Sequence, residues 1–118
     1  MLRIVVPLIA ALATPVTATE LQPVPVVPLA GRPYPGTGEP AEIRFINARP
    51  DRVQVAWLDL AGRPVRYATL DPGQEYVQTT YVTHRWMVQR EGDSSPLVAF
   101  IATRSVAEGG GADIAVIR

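Results

Sequence analysis

Residue types that carry out covalent catalysis are scarce in this chain of 118 residues. It has no Cys, which excludes a thiolate nucleophile, a disulfide and a Cys-type metal site. All eleven of its cations are Arg, so no Lys is available as a Schiff base or an ammonium base. His84 is the only imidazole, and Ser94, Ser95 and Ser105 all lie outside a Gly-x-Ser-x-Gly context. A two-imidazole site is therefore excluded, and a serine triad has no support.

The remaining catalytic candidates are carboxylates, and they stand in sequence contexts typical of turns. Asp59, Asp71, Glu91 and Asp93 fall at strand ends or between strands, where acidic residues ordinarily cap and solubilise. The run Gly109-Gly110-Gly111 lacks the Lys and the following helix of a phosphate-binding loop, which favours a linker. We therefore predict a protein that is not an enzyme and that holds no metal and no cofactor. A formal net charge of zero gives no electrostatic reason to expect binding to nucleic acid.

Aromatic side chains are concentrated in one window of the sequence. Of the eight aromatic residues, five fall between positions 57 and 86. They are Trp57, Tyr67, Tyr76, Tyr81 and Trp86. On an extended strand Tyr76, Gln78 and Thr80 share one face, because successive side chains point to opposite faces. A turn that brings His84 back towards Thr80 would join two hydrogen-bonding groups to a wall of rings, the general form of a recognition pocket. The alternative is that these rings simply fill a hydrophobic core.

The elements that must position these residues are short β-strands. From residue 41 onward the apolar period is two, and turn signals recur every eight to twelve residues or so. The predicted strands are about 42–47, 53–60, 65–70, 75–81, 85–90, 97–103 and 114–117. The pattern predicts a seven-stranded antiparallel β-sandwich, with the strand at 97–103 central because it is apolar on both faces. The predicted interior positions are Phe45, Val55, Trp57, Val88, Val98 and Phe100.

Two segments precede the strands. Residues 1–18 read as a signal peptide, with a positive start, an apolar run of ten residues and small residues before a cleavage site after Ala18 or, alternatively, Ala13. This run is shorter than the roughly 20 residues of a membrane span, so we expect an exported protein, periplasmic or secreted, without a span. Residues 19–40 hold six of the twelve prolines and are predicted to form a linker or arm along the domain surface.

The order of the remaining motifs resembles a known family. These motifs are Val55-x-Trp57-Leu58, Gly62-x-Pro64, Tyr67-x-Thr69-Leu70-x-Pro72-Gly73, Tyr81 and His84-x-Trp86. Together they resemble the von Hippel-Lindau β-domain family over about residues 41–117. The resemblance implies a seven-stranded β-sandwich that binds a peptide containing 4-hydroxyproline, laid extended across one face.

The resemblance also implies a role for each residue of the pocket. The ligand-binding residues carried over are Trp57, Tyr67, Thr80, Tyr81, His84 and Trp86. Trp86 would form the floor beneath the proline ring, with Trp57 and Tyr81 as walls. His84 and Thr80 would hydrogen-bond the 4-hydroxyl group, and the Tyr67 hydroxyl would hold the peptide backbone. Aromatic faces suit the polarised C–H groups of the ring, and polar groups left unpaired beneath plain proline would cost about 1–3 kcal/mol each.

The sequence departs from the family pattern at several points. Thr80 stands where the family has Ser, and Thr79 stands where it has His. In the tumour suppressor after which the family is named, the β domain continues into a helical domain that recruits a ubiquitin ligase, whereas this sequence ends at Arg118. We therefore expect a stand-alone, monomeric, exported homologue of bacterial type, whose partner is a hydroxyproline-containing protein. The alternative function is a structural or carbohydrate-binding β-sandwich of the cell envelope.

Overall fold

The computed structural model describes residues 19–106 and 112–118, and within them the chain forms seven β-strands. They are β1 Pro40–Asn47, β2 Val53–Leu58, β3 Pro64–Leu70, β4 Glu75–Tyr81, β5 Arg85–Arg90, β6 Pro96–Ile101 and β7 Asp113–Ile117. All seven predicted strands are confirmed, with ends that differ by at most two residues. The predicted signal peptide and the Gly109–Gly111 run lie outside the described residues. In the part of the chain that is described, no helix is long and apolar enough to cross a membrane.

The strands form two sheets, as the all-β sandwich prediction requires. One sheet has the order β4-β1-β7 and the other the order β3-β2-β5-β6. Every neighbouring pair is antiparallel except β1 and β7, which run parallel with Phe45 opposite Ala115. The prediction of a wholly antiparallel sandwich is wrong at this pair. Because β7 enters from the other sheet, no tight hairpin turn links it to its neighbour and imposes the antiparallel direction.

The hydrophobic core lies between the two sheets and is built from alternate residues of each strand. Phe45, Val55, Val88 and Phe100 are fully buried there, as predicted. The other two predicted core residues, Trp57 and Val98, are partly buried and pack against the same cluster. The Phe45 ring stacks on Tyr76 with 5.6 Å between ring centroids and meets the Phe100 ring edge-on. This aromatic contact joins the two sheets directly beneath the region where the predicted site residues lie.

The Pro-rich arm, residues 19–40, packs against the sandwich as well as running along it. The backbone amide of Leu21 donates to the Ile114 carbonyl of β7. Val24 exchanges two backbone hydrogen bonds with Ala99 on the outer edge of β6. Val26 belongs to a second apolar cluster on the outer face of the four-stranded sheet, whose other members are Ala56, Leu58, Met87 and Ala99.

These contacts correct the prediction that the strand at 97–103 is central. Strand β6 is the last strand of its sheet in the order β3-β2-β5-β6. Its two faces are apolar because one faces the core and the other is covered by the Pro-rich arm. The arm also occupies part of its outer edge, at Val24. An edge strand can therefore carry the apolar pattern of a central strand when another segment of the chain covers it.

Candidate functional site

All six predicted site residues line one cleft of about 210 Å³. Its lining is Trp57, Leu60, Tyr67, Thr79, Thr80, Tyr81, His84 and Trp86. The aromatic rings do not all fill the interior, because Tyr67 is 51% and Tyr81 45% exposed, whereas Trp86 is only 2% exposed. The cleft therefore has a buried indole at its base and exposed phenol rings at its rim. The predicted roles of these residues in ligand binding stay predictions.

Strand alternation and register bring these side chains together. In β4 the burial pattern alternates so that Tyr76, Gln78 and Thr80 share one face, as predicted. This face points inward, while Tyr81 at the strand end stays exposed. Between β2 and β5, Trp57 lies directly opposite Trp86. Directly opposed residues of an antiparallel pair share one face of the sheet. The two indoles therefore project from the same face of the sheet, and Trp86 reaches Thr80 at the end of β4.

Trp86 and Thr80 form the polar base of the cleft. The Trp86 Nε1–H group donates to Thr80 Oγ1 at 2.9 Å. The Tyr67 ring meets the Trp86 ring edge-on, with centroids 5.1 Å apart. A hydroxyl group that accepts one hydrogen bond still has its own proton to donate. Among residues 19–106 and 112–118, Thr80 Oγ1 donates no hydrogen bond of its own.

His84 is the second polar group of the cleft. Among the described residues, no hydrogen bond joins His84 to Thr80. Trp57 Nε1–H donates to His84 Nδ1 at 3.2 Å. His84 Nε2 lies 3.2 Å from the carbonyl oxygen of Thr37 in the Pro-rich arm. The Trp57 and His84 rings are nearly parallel, and the Tyr81 ring lies 5.2 Å from the imidazole centroid. Each of the two predicted hydroxyl-binding groups is thus held by its own indole.

A strained turn presents His84 to the cleft. Thr83 has φ of 73°, a left-handed conformation that is unfavourable for a β-branched residue. Its backbone amide donates to the Ala102 carbonyl at 2.7 Å, and the His84 amide donates to the Tyr81 carbonyl. The Thr83 hydroxyl is buried and has no hydrogen-bond partner among the described residues. Backbone hydrogen bonds to neighbouring segments therefore hold Thr83 in a conformation that is unfavourable for threonine.

Residues that sequence reasoning missed support or line the site, among them Tyr34 of the Pro-rich arm. Tyr34 is buried, its hydroxyl donates to the Leu58 carbonyl, and its ring meets His84 edge-on. The Arg85 guanidinium lies 4.3 Å from the centroid of the Tyr34 ring. Leu60 lines the cleft from the segment after β2. The one available sequence signal was an isolated aromatic residue, Tyr34, within a Pro-rich stretch.

None of the residues that line the cleft is an acid or an arginine. Burial raises the pKa of Tyr76 to about 12, and burial also raises the pKa of Tyr34 despite its hydrogen bond from the Arg85 amide. The lining residues offer hydrogen-bonding groups and aromatic faces.

The four carboxylates considered as catalytic candidates make the contacts of turns and surface ion pairs. Asp59 accepts backbone hydrogen bonds within its own turn, at the amides of residues 61 and 63. Asp71 and Glu91 both pair with Arg52, at 2.7 and 3.4 Å. Asp93 accepts from a backbone amide two residues later, and hydrogen bonding there lowers its pKa. None of the four lines the cleft.

A family comparison agrees with this geometry. Residues 36–103, more than half of the chain, match the family model of the VHL beta domain. The chain belongs to the VHL beta domain family. A VHL beta domain is a non-catalytic binding module, and peptides are its general class of ligand. The matched span contains β1 to β6 and the whole cleft lining, and it begins within the Pro-rich arm at Gly36.

Proposed function

We propose that this VHL beta domain binds polypeptides containing 4-hydroxyproline, seating the hydroxylated ring in the aromatic cleft. The observation that carries the proposal is the joint placement of two indoles, two phenols, a hydroxyl and an imidazole around one small cavity. Its volume of about 210 Å³ falls below the ~300–1,000 Å³ of sites for drug-sized ligands. A single ring that projects from an extended chain suits such a cavity better than a large free ligand.

Ring stacking supplies the apolar part of the recognition. Trp86 is the buried base, while Trp57 and Tyr81 stand at the sides. The C–H groups of a proline ring are polarised by the ring nitrogen and, in hydroxyproline, by the hydroxyl. They suit the electron-rich faces of indole and phenol rings. The exposed Tyr67 hydroxyl at the rim is available to the peptide backbone.

Hydrogen bonding supplies the selectivity for the hydroxyl group. The free proton of Thr80 is available to the oxygen of a ligand hydroxyl, because Trp86 uses only the acceptor side of Thr80. The ligand hydroxyl can in turn donate to His84 Nδ1 and replace the bond from Trp57. Plain proline would cover the Thr80 proton without giving it a partner. This cost of about 1–3 kcal/mol corresponds to a roughly 5- to 150-fold weaker complex.

Isothermal titration with two matched peptides tests the proposal. The peptides share one sequence and differ only in a central 4-hydroxyproline or proline. The expected result is tighter binding of the hydroxylated peptide by a factor within the range above. Equal affinities, or no binding of either peptide, would reject hydroxyproline recognition.

The proposed site of action is outside the cytoplasm, and the support for this is the predicted signal peptide at residues 1–18. The ligand would then be an exported or cell-surface polypeptide. Fractionation of the producing cells, followed by N-terminal sequencing of the mature chain, tests this part. Recovery from the periplasm or medium with residue 19 at the N-terminus is expected, and an uncleaved chain in the cytoplasm would contradict it.

A further inference from the structure

The imidazole of His84 is held between the indole of Trp57 and the backbone of the Pro-rich arm. Nδ1 accepts from Trp57 Nε1–H, and Nε2 lies within hydrogen-bond distance of the Thr37 carbonyl oxygen. An indole nitrogen can only donate, and a carbonyl oxygen can only accept. Both bonds form together only when the proton resides on Nε2 and Nδ1 carries a lone pair.

We propose that Gly36 and Thr37 are positioning residues of the cleft, which fix the Nε2–H tautomer of His84 and so present Nδ1 as an acceptor. This inference deepens the proposed function and rests on it for its consequence in ligand binding. The arm then acts on the ligand through His84, without itself lining the cleft.

Gly36 is required because the imidazole approaches the arm backbone closely. A Cβ atom at this position would lie 2.5 Å from His84 Nε2 and 2.7 Å from Leu60 Cδ2. Contacts this short do not occur, so any larger residue must displace the His84 ring, the Leu60 side chain or the arm. At Gly38, two residues later, a Cβ atom would meet nothing within 4 Å. The requirement for glycine is therefore specific to the position that faces the imidazole.

The arm is anchored on both sides of Gly36, which keeps the Thr37 carbonyl in place. Before it, the Tyr34 amide donates to the Leu60 carbonyl at 3.0 Å, and the Tyr34 hydroxyl bonds to β2. After it, Thr37 Oγ1 donates to the Val82 carbonyl at 2.7 Å. The second bond reaches the same turn that carries His84. The Thr37 side-chain bond to Val82 thus keeps the Thr37 carbonyl close to the imidazole, because Val82 and His84 belong to the same turn.

The tautomer decides what a ligand hydroxyl can do in the cleft. With Nδ1 as acceptor and Thr80 as donor, a ligand hydroxyl satisfies both its oxygen and its proton. With the proton on Nδ1 instead, both groups would be donors, and the ligand proton would have no acceptor from this pair. Displacement of the arm should therefore reduce the preference for hydroxyproline more than it reduces the binding of proline.

The ¹⁵N spectrum of the imidazole tests the positioning role without any ligand. His84 is the only histidine, so the untagged full chain gives one imidazole spin system. The wild type is expected to show the Nε2–H tautomer. Gly36→Ala should give a mixture of tautomers or a displaced signal, and Gly38→Ala, the matched control, should reproduce the wild-type spectrum. An Nδ1–H tautomer in the wild type, or an unchanged spectrum in folded Gly36→Ala, would overturn the proposal.

Two further variants keep the test decisive if Gly36→Ala does not fold. Thr37→Ala removes the bond to Val82 from an exposed residue, and it should loosen the arm and broaden the imidazole signals. Trp57→Phe removes the donor to Nδ1 but leaves Thr37, so the Nε2–H tautomer should persist if the arm fixes it. If Trp57→Phe loses the Nε2–H tautomer while Thr37→Ala keeps the wild-type spectrum, Trp57 rather than the arm controls the tautomer. This pair of results would overturn the proposal.

Titration of the same variants with the paired peptides separates this inference from the proposed function. We expect Gly36→Ala to lose at least half of the wild-type ratio between hydroxyproline and proline affinities, and Gly38→Ala to retain it. An unchanged ratio in a variant with a displaced imidazole would overturn the role in ligand selection. A wild type that shows the Nε2–H tautomer but binds neither peptide would contradict only the proposed function.

Discussion

The two lateral sides of this sandwich differ in what covers them. On the side of β6 and β7, the Pro-rich arm adds backbone bridges at Val24 and Glu20 and buries Leu21 in the core. On the side of β3 and β4, both strands are sheet edges, and Tyr67 and Tyr81 remain exposed. The Pro-rich arm therefore covers the side of β6 and β7, whereas the side of β3 and β4 keeps exposed aromatic rings. The exposed rings around the cleft on the other side are the feature on which the proposed binding surface rests.

The first prediction concerns the covered side. Phe100 on β6 is fully buried and contacts Phe45 across the sandwich. Phe100→Ala should lower the free energy of unfolding by about 3–5 kcal/mol, because it removes a large ring and leaves a cavity. Chemical denaturation measures this loss. A loss below about 1 kcal/mol would mean that the covered side does not carry the stability assigned to it.

The second prediction concerns the base of the cleft. Thr80→Val keeps the shape but removes the acceptor for Trp86 Nε1–H, which should cost about 1–3 kcal/mol of unfolding free energy. It also removes the donor for a ligand hydroxyl, so the ratio of hydroxyproline affinity to proline affinity should fall towards one. Thr80→Ser, which restores the residue typical of the family, is the control and should retain both properties. Equal behaviour of the two variants in titration and denaturation would contradict the role of the hydroxyl.

The third prediction concerns the turn between the two sides. Thr83→Gly should raise the free energy of unfolding by about 1 kcal/mol, because glycine adopts a positive φ without the steric cost of a β-branched side chain. Val82→Gly at the neighbouring position, where no positive φ is required, should instead lower it. Thermal or chemical denaturation of both variants distinguishes them. A loss of stability in Thr83→Gly would show that the side chain itself supports the turn.

The fourth prediction concerns the open rim and has the smallest effect on stability. Tyr81 is 45% exposed and has no hydrogen bond through its side chain among the described residues. Tyr81→Ala should change the unfolding free energy by about 0.5 kcal/mol or less. Its affinity for the hydroxyproline peptide should nevertheless fall about tenfold or more, since aromatic residues dominate such contacts. A large loss of stability with unchanged affinity would place Tyr81 with the core instead.

Most of the fold could be predicted from local sequence because the relevant signals are local. The period of two from residue 41 to residue 101 predicts the strands, and turn residues such as Pro72-Gly73 separate them. The parallel pairing of β1 with β7 could not be predicted in this way, since it depends on where the chain crosses between sheets. The edge position of β6 could not be predicted, because the Pro-rich arm covers the outer face of this strand. The strand therefore has two apolar faces, as a central strand does.

The candidate site, like the fold, could be predicted from the sequence only in part. Alternation in β4 predicts that Thr80 shares a face with Tyr76 and Gln78, and the family resemblance selects six of the eight residues that line the cleft. The bonds that hold Thr80 and His84 to separate indoles were not predictable, because they depend on distances across three strands and the arm. Gly36 and Thr37 were missed because a Pro-rich segment has no periodicity that indicates which surface it contacts.

The indole N–H resonances offer the most direct test of hydroxyproline recognition, since Trp57 and Trp86 are the only tryptophans in the chain. Addition of the hydroxyproline peptide should shift both resonances to saturation, and Trp57 should shift most because its bond to His84 is replaced. The proline peptide should require a roughly 5- to 150-fold higher concentration for the same effect. Identical titration curves for the two peptides, or no movement of either resonance, would contradict the account.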